Sequence, residues 1–216
     1  MWQIKRIVDL SHPLSNGLMV YPGDPVPYVS IATTIASHGY NLKAIFLGSQ
    51  TGTHVDAPYH FRDDGATIDR MPLDLFIGPG VVVRVPGKAA REPITLKDLE
   101  PYRDRIRPGA IVLFNTNWYQ KHGQTDFYDH PFLSPEAGEY LLSRGVRTVC
   151  IDAINIDPTG GTEFPIHEMW AAAGGIIGEN MANFDKIEHP EPLIVMFPLN
   201  LVGADGAPVR AVALEF

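Results

Sequence analysis

The sequence predicts an α/β fold built on a mixed β-sheet, and three observations carry that expectation. Ala110–Phe114 and Val146–Ile151 are continuous apolar runs, the pattern of strands buried on both faces. Thr95-Leu-Lys-Asp98 and Ser134-Pro135 are helix starts lying between strand-like runs. Other neighbouring strand-like runs have no helix between them, which indicates a mixed sheet rather than a purely doubly wound one.

Taken in order, Ile4 to Leu10 reads as a strand, followed by the turn-rich Tyr21-Pro-Gly-Asp-Pro25. Val26 to Ala36 and Asn41 to Ser49 lean toward β-structure. Asp63-Asp-Gly65 is a turn signal; Ile68 to Phe76 follows it, and then the strand Val81–Val85. Thr95 is an N-cap with Asp98 three residues on, so a short helix begins there and stops before Pro108-Gly109. Ser134 caps the clearest helix, with proline at its first position and Gly145 just past its end. His167 to Ala173 is helical up to Gly174-Gly175, and Ile176 to Asn180 is a short strand. Leu193 to Pro198 and Val209 to Phe216 close the sheet. There is no linker, repeat or low-complexity tract, so residues 1–216 read as one domain. Nineteen prolines and 20 glycines favour short elements joined by defined turns.

Composition excludes some partners. With 17 basic and 25 acidic residues the formal net charge is −8, and no Lys/Arg cluster stands out. Nucleic acid and anionic membrane are therefore poor partners. The lone Cys150 sits in the apolar run Thr148–Asp152 and reads as a buried, inert thiol. Met1–Arg6 carries no secretory signal, and no apolar stretch reaches membrane-spanning length, so a cytoplasmic location is expected.

The chemistry concentrates in Gln50-Thr-Gly-Thr-His-Val-Asp-Ala-Pro-Tyr-His60. On a strand, residues two apart share a face, so Gln50, Gly52, His54 and Asp56 would point one way. Gly52 would leave room for something to approach the backbone. Pro58 cannot continue the ladder, and the turn it forces brings His60 back beside Asp56. Two imidazoles and a carboxylate suit Zn²⁺, Mn²⁺ or Fe²⁺; a polar wet strand face is the alternative. His167 opens a helix, and Glu179 lies in the apolar context Ile176-Ile-Gly-Glu-Asn180. A carboxylate there is costly unless it binds metal or joins an internal salt bridge. His12, His38, His122, His130 and His189 sit beside proline or glycine in apparent loops, where solvated imidazoles are expected.

On these residues the chain resembles the metal-dependent cyclase/hydrolase family that includes bacterial kynurenine formamidase and isatin hydrolase. The family signature His-x-Gly-Thr-His-x-Asp-x-Pro-x-His is matched by Gly52-Thr-His54, Asp56, Pro58 and His60. Asp9-Leu-Ser, Tyr21-Pro-Gly-Asp24, Met71-Pro-Leu-Asp74, Gly178-Glu-Asn180 and the segment Gly203 to Arg210 extend the likeness over nearly the whole chain. The resemblance implies a swivelling β/β/α fold, usually a homodimer. It also implies one or two divalent ions, Zn²⁺ with Mn²⁺ as the alternative, held by His54, Asp56, His60, His167 and Glu179. In a two-ion site Asp56 and Glu179 would bridge, with His54 on one ion and His167 on the other. His60 is then either a ligand or an acid–base group. Gln50 replaces the signature's first histidine; its amide oxygen is a weaker, harder donor that shifts the position toward Mn²⁺. Asn115-Thr-Asn-Trp118 is a second departure and falls where the pocket could be altered.

Such a site suits hydrolysis of a small amide: an arylformamide, an N-formylkynurenine-like compound, or a cyclic amide such as isatin. Asp56 and His60 are the expected catalytic groups, His60 as the proton shuttle. Tyr21, Tyr59, Phe61 and Trp118 are candidates for an aromatic wall against a planar substrate. A lactone hydrolase, a cyclase or dehydratase using the same ions, and a non-catalytic metal- or ligand-binding protein are the competing readings.

Overall fold

The computed structural model describes residues 3–216; Met1 and Trp2, which begin the N-terminal stretch read above, lie outside the described residues. The strands are β1 (Arg6–Asp9), β2 (Tyr28–Thr33), β3 (Leu42–Phe46), β4 (His54–Asp56), β5 (Ile77–Arg84), β6 (Pro93–Ile94), β7 (Ile111–Asn115), β8 (Phe132–Leu133), β9 (Thr148–Ile151), β10 (Ile176–Glu179), β11 (Leu193–Val195), β12 (Gly206–Pro208) and β13 (Val212–Glu215). The α-helices are α1 (Ile35–His38), α2 (Leu96–Leu99), α3 (Pro135–Ser143) and α4 (Pro165–Ala172).

Nine strands form one mixed sheet in the order β1-β13-β11-β5-β7-β9-β10-β4-β12. Its centre, β5, β7, β9 and β10, is parallel. Antiparallel strands flank it: β4 and β12 beyond β10, and β11, β13 and β1 beyond β5. The continuous apolar runs are explained by the central strands, whose alternate residues enter two separate cores. Val81, Val83, Val112, Phe114, Val149 and Ile151 face the helices, where Leu99, Leu141, Ile166 and Trp170 cover them. Val82, Ile111, Leu113 and Cys150 face the other way and meet Val8, Leu10, Ile194 and Ala213. Those last four come from or beside the flanking strands, so the sheet curls over its own second face.

Helix ends follow the sequence signals. Ser134 Oγ accepts from the Ala137 amide at 3.3 Å, and Gly145 takes φ +81° after α3. Thr95 and Asp98 form the reciprocal capping pair of α2, which is a single turn.

Several expectations are corrected. Val26–Ala36 divides into β2 and the start of α1; α1 has no buried residue and is held by a Thr34–Ser37 capping box, by Asn41 Oδ1 on the Ile35 amide and by Gly39, so no apolar period announces it. Ile68–Phe76 is two 3₁₀ turns, Ile68–Arg70 and Leu73–Phe76, separated around Pro72. β12 carries glycine and proline and is a strand through its pairing with β4, at an edge where proline is tolerated. Gln50 and Gly52 are not in β4. Gly52 sits at φ +69°, and a Cβ there would meet Leu14 Cδ2 at 2.6 Å, so what it accommodates is Leu14.

The five further histidines are not uniformly solvated. His38 is exposed, on α1. His12 and His122 are half-buried and stacked, their centroids 4.9 Å apart. His189 is half-buried and accepts from the Glu191 amide. His130 is buried: its Nδ1 faces the Pro131 carbonyl at 2.8 Å, and its Nε2 faces the Thr159 hydroxyl at 2.8 Å. Cys150 is fully buried as expected, and burial pushes its thiol pKa up.

Burial holds His130 down at about 4, against 6.5 for an ordinary histidine. Between those values the unfolded chain binds a proton that the folded chain refuses, so stability is full above about pH 6.5 and falls toward pH 4. The contribution approaches about 1.4 kcal/mol per pH unit for one proton. Urea unfolding at pH 7, 6 and 5 checks this. His130→Asn should be less stable at pH 7 yet lose less on acidification, by close to one proton; an unchanged pH slope contradicts the assignment.

Candidate metal centre

Strand pairing builds the first half of the site. In the β4–β10 register Glu179 lies opposite His54, and Ile177 lies opposite Asp56. Strand parity then puts His54, Asp56 and Glu179 on one face, while Val55 turns into the second core. α4 packs across this face and brings His167 down onto it. All four side chains are nearly fully buried, at 3–6% exposure.

Each carboxylate spans both imidazoles. Asp56 Oδ1 lies 3.4 Å from His54 Nε2, and Oδ2 lies 3.5 Å from His167 Nε2. Glu179 Oε2 lies 3.7 Å from His54 Nε2, and Oε1 lies 3.2 Å from His167 Nε2. Most of these contacts are long for hydrogen bonds, and both Asp56 oxygens are buried without a hydrogen-bond partner. Ligands about 2.0–2.2 Å from a tetrahedral ion stand roughly 3.3–3.6 Å from each other, the spacing seen here. The donor set therefore fits a divalent transition ion. Candidate ligand atoms fall into two overlapping groups, His54–Asp56–Glu179 and Asp56–His60–His167, with Asp56 common to both.

The outer nitrogen of each buried imidazole is held. His54 Nδ1 donates to the Gly52 carbonyl at 2.8 Å. His167 Nδ1 pairs with Asp157 Oδ2 at 2.7 Å, and Asp157 also accepts the Ile166 and His167 amides at the start of α4. Both rings thus present Nε2 to the cluster, the arrangement that orients metal-binding histidines. Burial pushes His54 down, but the Asp56 carboxylate 3.4 Å from its Nε2, with Glu179, outweighs it and holds His54 up at about 9. His167 is also held well up: burial opposes, and Glu179, Asp157 and Asp56 prevail. Without a cation, the two carboxylates keep protons on these rings.

His60 is the last residue of the 3₁₀ turn Pro58–His60, which begins at the proline. The Tyr59 amide bonds to the Ala66 carbonyl at 3.1 Å to close this loop. A Cβ on Gly65 would lie 2.5 Å from the Pro58 carbonyl carbon, which accounts for the Asp-Asp-Gly turn. His60 Nδ1 pairs with Asp205 Oδ2 at 2.9 Å, and Gln50 Nε2 donates to the same oxygen at 2.7 Å. At 30% exposure, the His60 side chain is far more open than the four buried groups. Burial lowers its pKa, yet Asp205 and Asp56 raise it overall. Gln50 Oε1 is buried without a hydrogen-bond partner.

A pocket of about 210 Å³ opens over the cluster, with Gln50, His54, His60, His167 and Glu179 in its wall. Of the expected aromatic residues, Tyr21 and Phe61 line it. Trp118 instead belongs to the helix-side core, its indole N–H bonded to the Phe127 carbonyl, and Tyr59 is exposed outside the lining. Asn115 also lies outside the lining; its amide bonds to Asn117 and to the buried Asp152, which tie down that loop. Phe164, Asp157 and Asp205 were not anticipated individually. Asp205 lay inside the Gly203–Arg210 likeness, whereas Asp157 and Phe164 gave no local signal.

The chain is similar to known proteins over nearly its full length. A kynurenine formamidase from Bacillus cytotoxicus is 30% identical over 208 residues, covering 95% of each chain. The structure of isatin hydrolase A from Labrenzia aggregata, bound to benzyl benzoate, superposes with a TM-score of 0.89 at 25% identity, covering 97% of this chain and 93% of that one. A structure from Bacillus stearothermophilus, described as a predicted metal-dependent hydrolase, superposes with a TM-score of 0.81 at 28% identity and 98% coverage of both. Residues 8–158 match the Cyclase family model, described as "Putative cyclase", and with these likenesses over nearly the full chain the protein belongs to that cyclase family.

Proposed function

We propose that this protein is a metal-dependent hydrolase that cleaves the C–N bond of a small amide, an arylformamide or a cyclic amide. The observation that carries this reading is the buried Asp56, whose two oxygens have no hydrogen-bond partner and face the Nε2 atoms of His54 and His167. His54, Asp56, His167 and Glu179 would hold one or two ions, Zn²⁺ with Mn²⁺ as the alternative, and Gln50 Oε1 is a further donor within the pocket wall. The ion when bound supplies Lewis-acid activation of the substrate carbonyl and of water. Names given to the relatives, kynurenine formamidase and isatin hydrolase, are consistent with amide substrates.

His60 is the proton carrier in this proposal. Asp205 occupies its Nδ1, so Nε2 is the working nitrogen. It takes a proton from the attacking water as the O–C bond forms and returns it to the leaving nitrogen as the C–N bond breaks. Asp205, steadied by Gln50, keeps the ring in one orientation. Tyr21, Phe61 and Phe164 provide the aromatic wall for a planar substrate.

A homodimer belongs to the same proposal. β2 and β3 form a two-stranded hairpin whose Tyr28, Ile31, Leu42, Ile45 and Phe46 are each more than half exposed, as is Ile35 on α1. An isolated hairpin is marginal in water, and an apolar surface of this kind favours a second copy of the chain. The hairpin joins two pocket segments, Met19–Asp24 before it and Gln50 after it. No helix among the described residues is long and apolar enough to cross a membrane; a cytoplasmic location remains part of the proposal.

Protein purified without chelator should contain stoichiometric Zn, Mn or Fe by elemental analysis and should hydrolyse formanilide-type amides. Asp56→Ala should lose metal and turnover together. His60→Gln should keep metal while turnover falls about 100-fold or more, the scale of an acid–base group. Loss of metal in His60→Gln would make His60 a ligand instead, and metal-free, inactive wild-type protein contradicts the whole reading. In sedimentation, wild type should run as a dimer and Ile45→Asp/Phe46→Asp as a folded monomer; a wild-type monomer contradicts the hairpin assignment.

A further inference from the structure

One side-chain amide in the pocket wall is fixed at its oxygen and free at its nitrogen. Asn155 is buried, 5% exposed, and lines the pocket with His54, His60, His167 and Glu179. Its Oδ1 accepts the Asp157 amide at 2.7 Å. A backbone N–H can donate only to the oxygen, so this bond settles which end of the amide is which. Nδ2 makes no hydrogen bond among the described residues, yet it is not sealed as Gln50 Oε1 and Asn180 Oδ1 are. For a residue so buried, the pocket is where that opening lies.

The placement of Asn155 is tied to the metal cluster at two points. Ile156, the next residue, donates its amide to Glu179 Oε1 at 2.7 Å, and Asp157 accepts from His167 Nδ1 at 2.7 Å. Three consecutive residues thus hold a carboxylate, an imidazole and the Asn155 side chain in one fixed relation. A turn closed by the residue 155 side chain asks only for an oxygen there, which serine or aspartate would supply. What asparagine adds is an N–H donor.

Resting on the hydrolase reading, we propose that Asn155 is a further catalytic residue: its Nδ2 donates to the oxygen of the scissile carbonyl as that oxygen becomes an oxyanion. As the water oxygen bonds to the carbonyl carbon, the π pair of the C=O bond moves onto the carbonyl oxygen. The pair returns when the C–N bond breaks, and the leaving nitrogen takes its proton from His60. A donor aimed beforehand needs no reorganisation at that moment. The charge it meets develops only after substrate has bound, so the benefit falls on kcat rather than on binding. A neutral amide does this without competing as a cation for Asp56 and Glu179, which a lysine or arginine in its place would do.

Asn155→Ser and Asn155→Asp test this, because each keeps an oxygen for the Asp157 amide and removes the donor. With formanilide as substrate, kcat should fall about 100-fold or more in both, the scale of one oxyanion donor. KM, bound metal and circular dichroism should stay close to wild type. A second probe, N-phenyl methylphosphonamidate, carries tetrahedral phosphoryl oxygens in place of the carbonyl. Its Kd by calorimetry should rise about tenfold or more in Asn155→Ser, the scale of a hydrogen bond to a charged group. If wild type turns over no amide, that loss of affinity still upholds the donor while the hydrolase reading fails. Wild-type kcat and analogue affinity in Asn155→Ser overturn the proposal. So does loss of metal in Asn155→Ser, which would make Asn155 a support for Asp157 and His167 only.

Discussion

Two carboxylates facing two imidazoles on a dry face of the sheet are the constraint around which the rest is arranged. Asp56 and Glu179 each touch both His54 and His167 at 3.2–3.7 Å, and Asp56 has no hydrogen bond to compensate its burial. Leaving a charge in that condition costs several kcal/mol. The surrounding structure answers with ring protons held on His54 and His167 and with fixed orientation of both rings. The Gly52 carbonyl and Asp157 hold the outer nitrogens of the rings, and the Ile156 amide holds Glu179 Oε1 at 2.7 Å. Such a preorganised donor set suits a divalent cation that takes the place of the ring protons.

The sheet makes the cluster possible. Antiparallel pairing of β4 with β10 sets His54 against Glu179, and the parallel centre beneath them is covered on both faces by apolar side chains. α4 is placed by its own contacts with the helix-side core, through Ile166 and Trp170, and carries His167 between them. His60, Gln50 and Asp205 come instead from turns and from the bend just before β12, at the boundary between cluster and solvent. That division suits groups that bind on one side and groups that exchange protons on the other.

Much of this was legible in the sequence because it is local. His54 and Asp56 are two apart on a strand, Pro58 turns the chain to His60, and Glu179 stands out as a charge in an apolar run. Continuous apolar runs read correctly as central strands, and Ser134-Pro135 as a helix start. What escaped depends on residues distant in the chain. Asp157 holds the His167 ring only because α4 begins beside it, and Asp205 meets His60 from 145 residues away. His130 reads as a loop histidine until Thr159 is folded onto it. Trp118 looked like pocket wall, but its indole finds a carbonyl in the core. β12 and α1 lack any propensity or period of their own, so pairing and capping alone create them.

The claim that a cation completes the buried cluster is tested most directly by calorimetric titration of chelator-treated protein with Zn²⁺ at pH 7, in two buffers of different ionisation enthalpy. In the absence of a cation, His54 is held up at about 9 and His167 well above its ordinary value, so both rings are protonated at this pH. The account predicts tight binding with release of more than one proton per protein, because Nε2 must be deprotonated to ligate. Weak binding, or tight binding with no proton release, would contradict it.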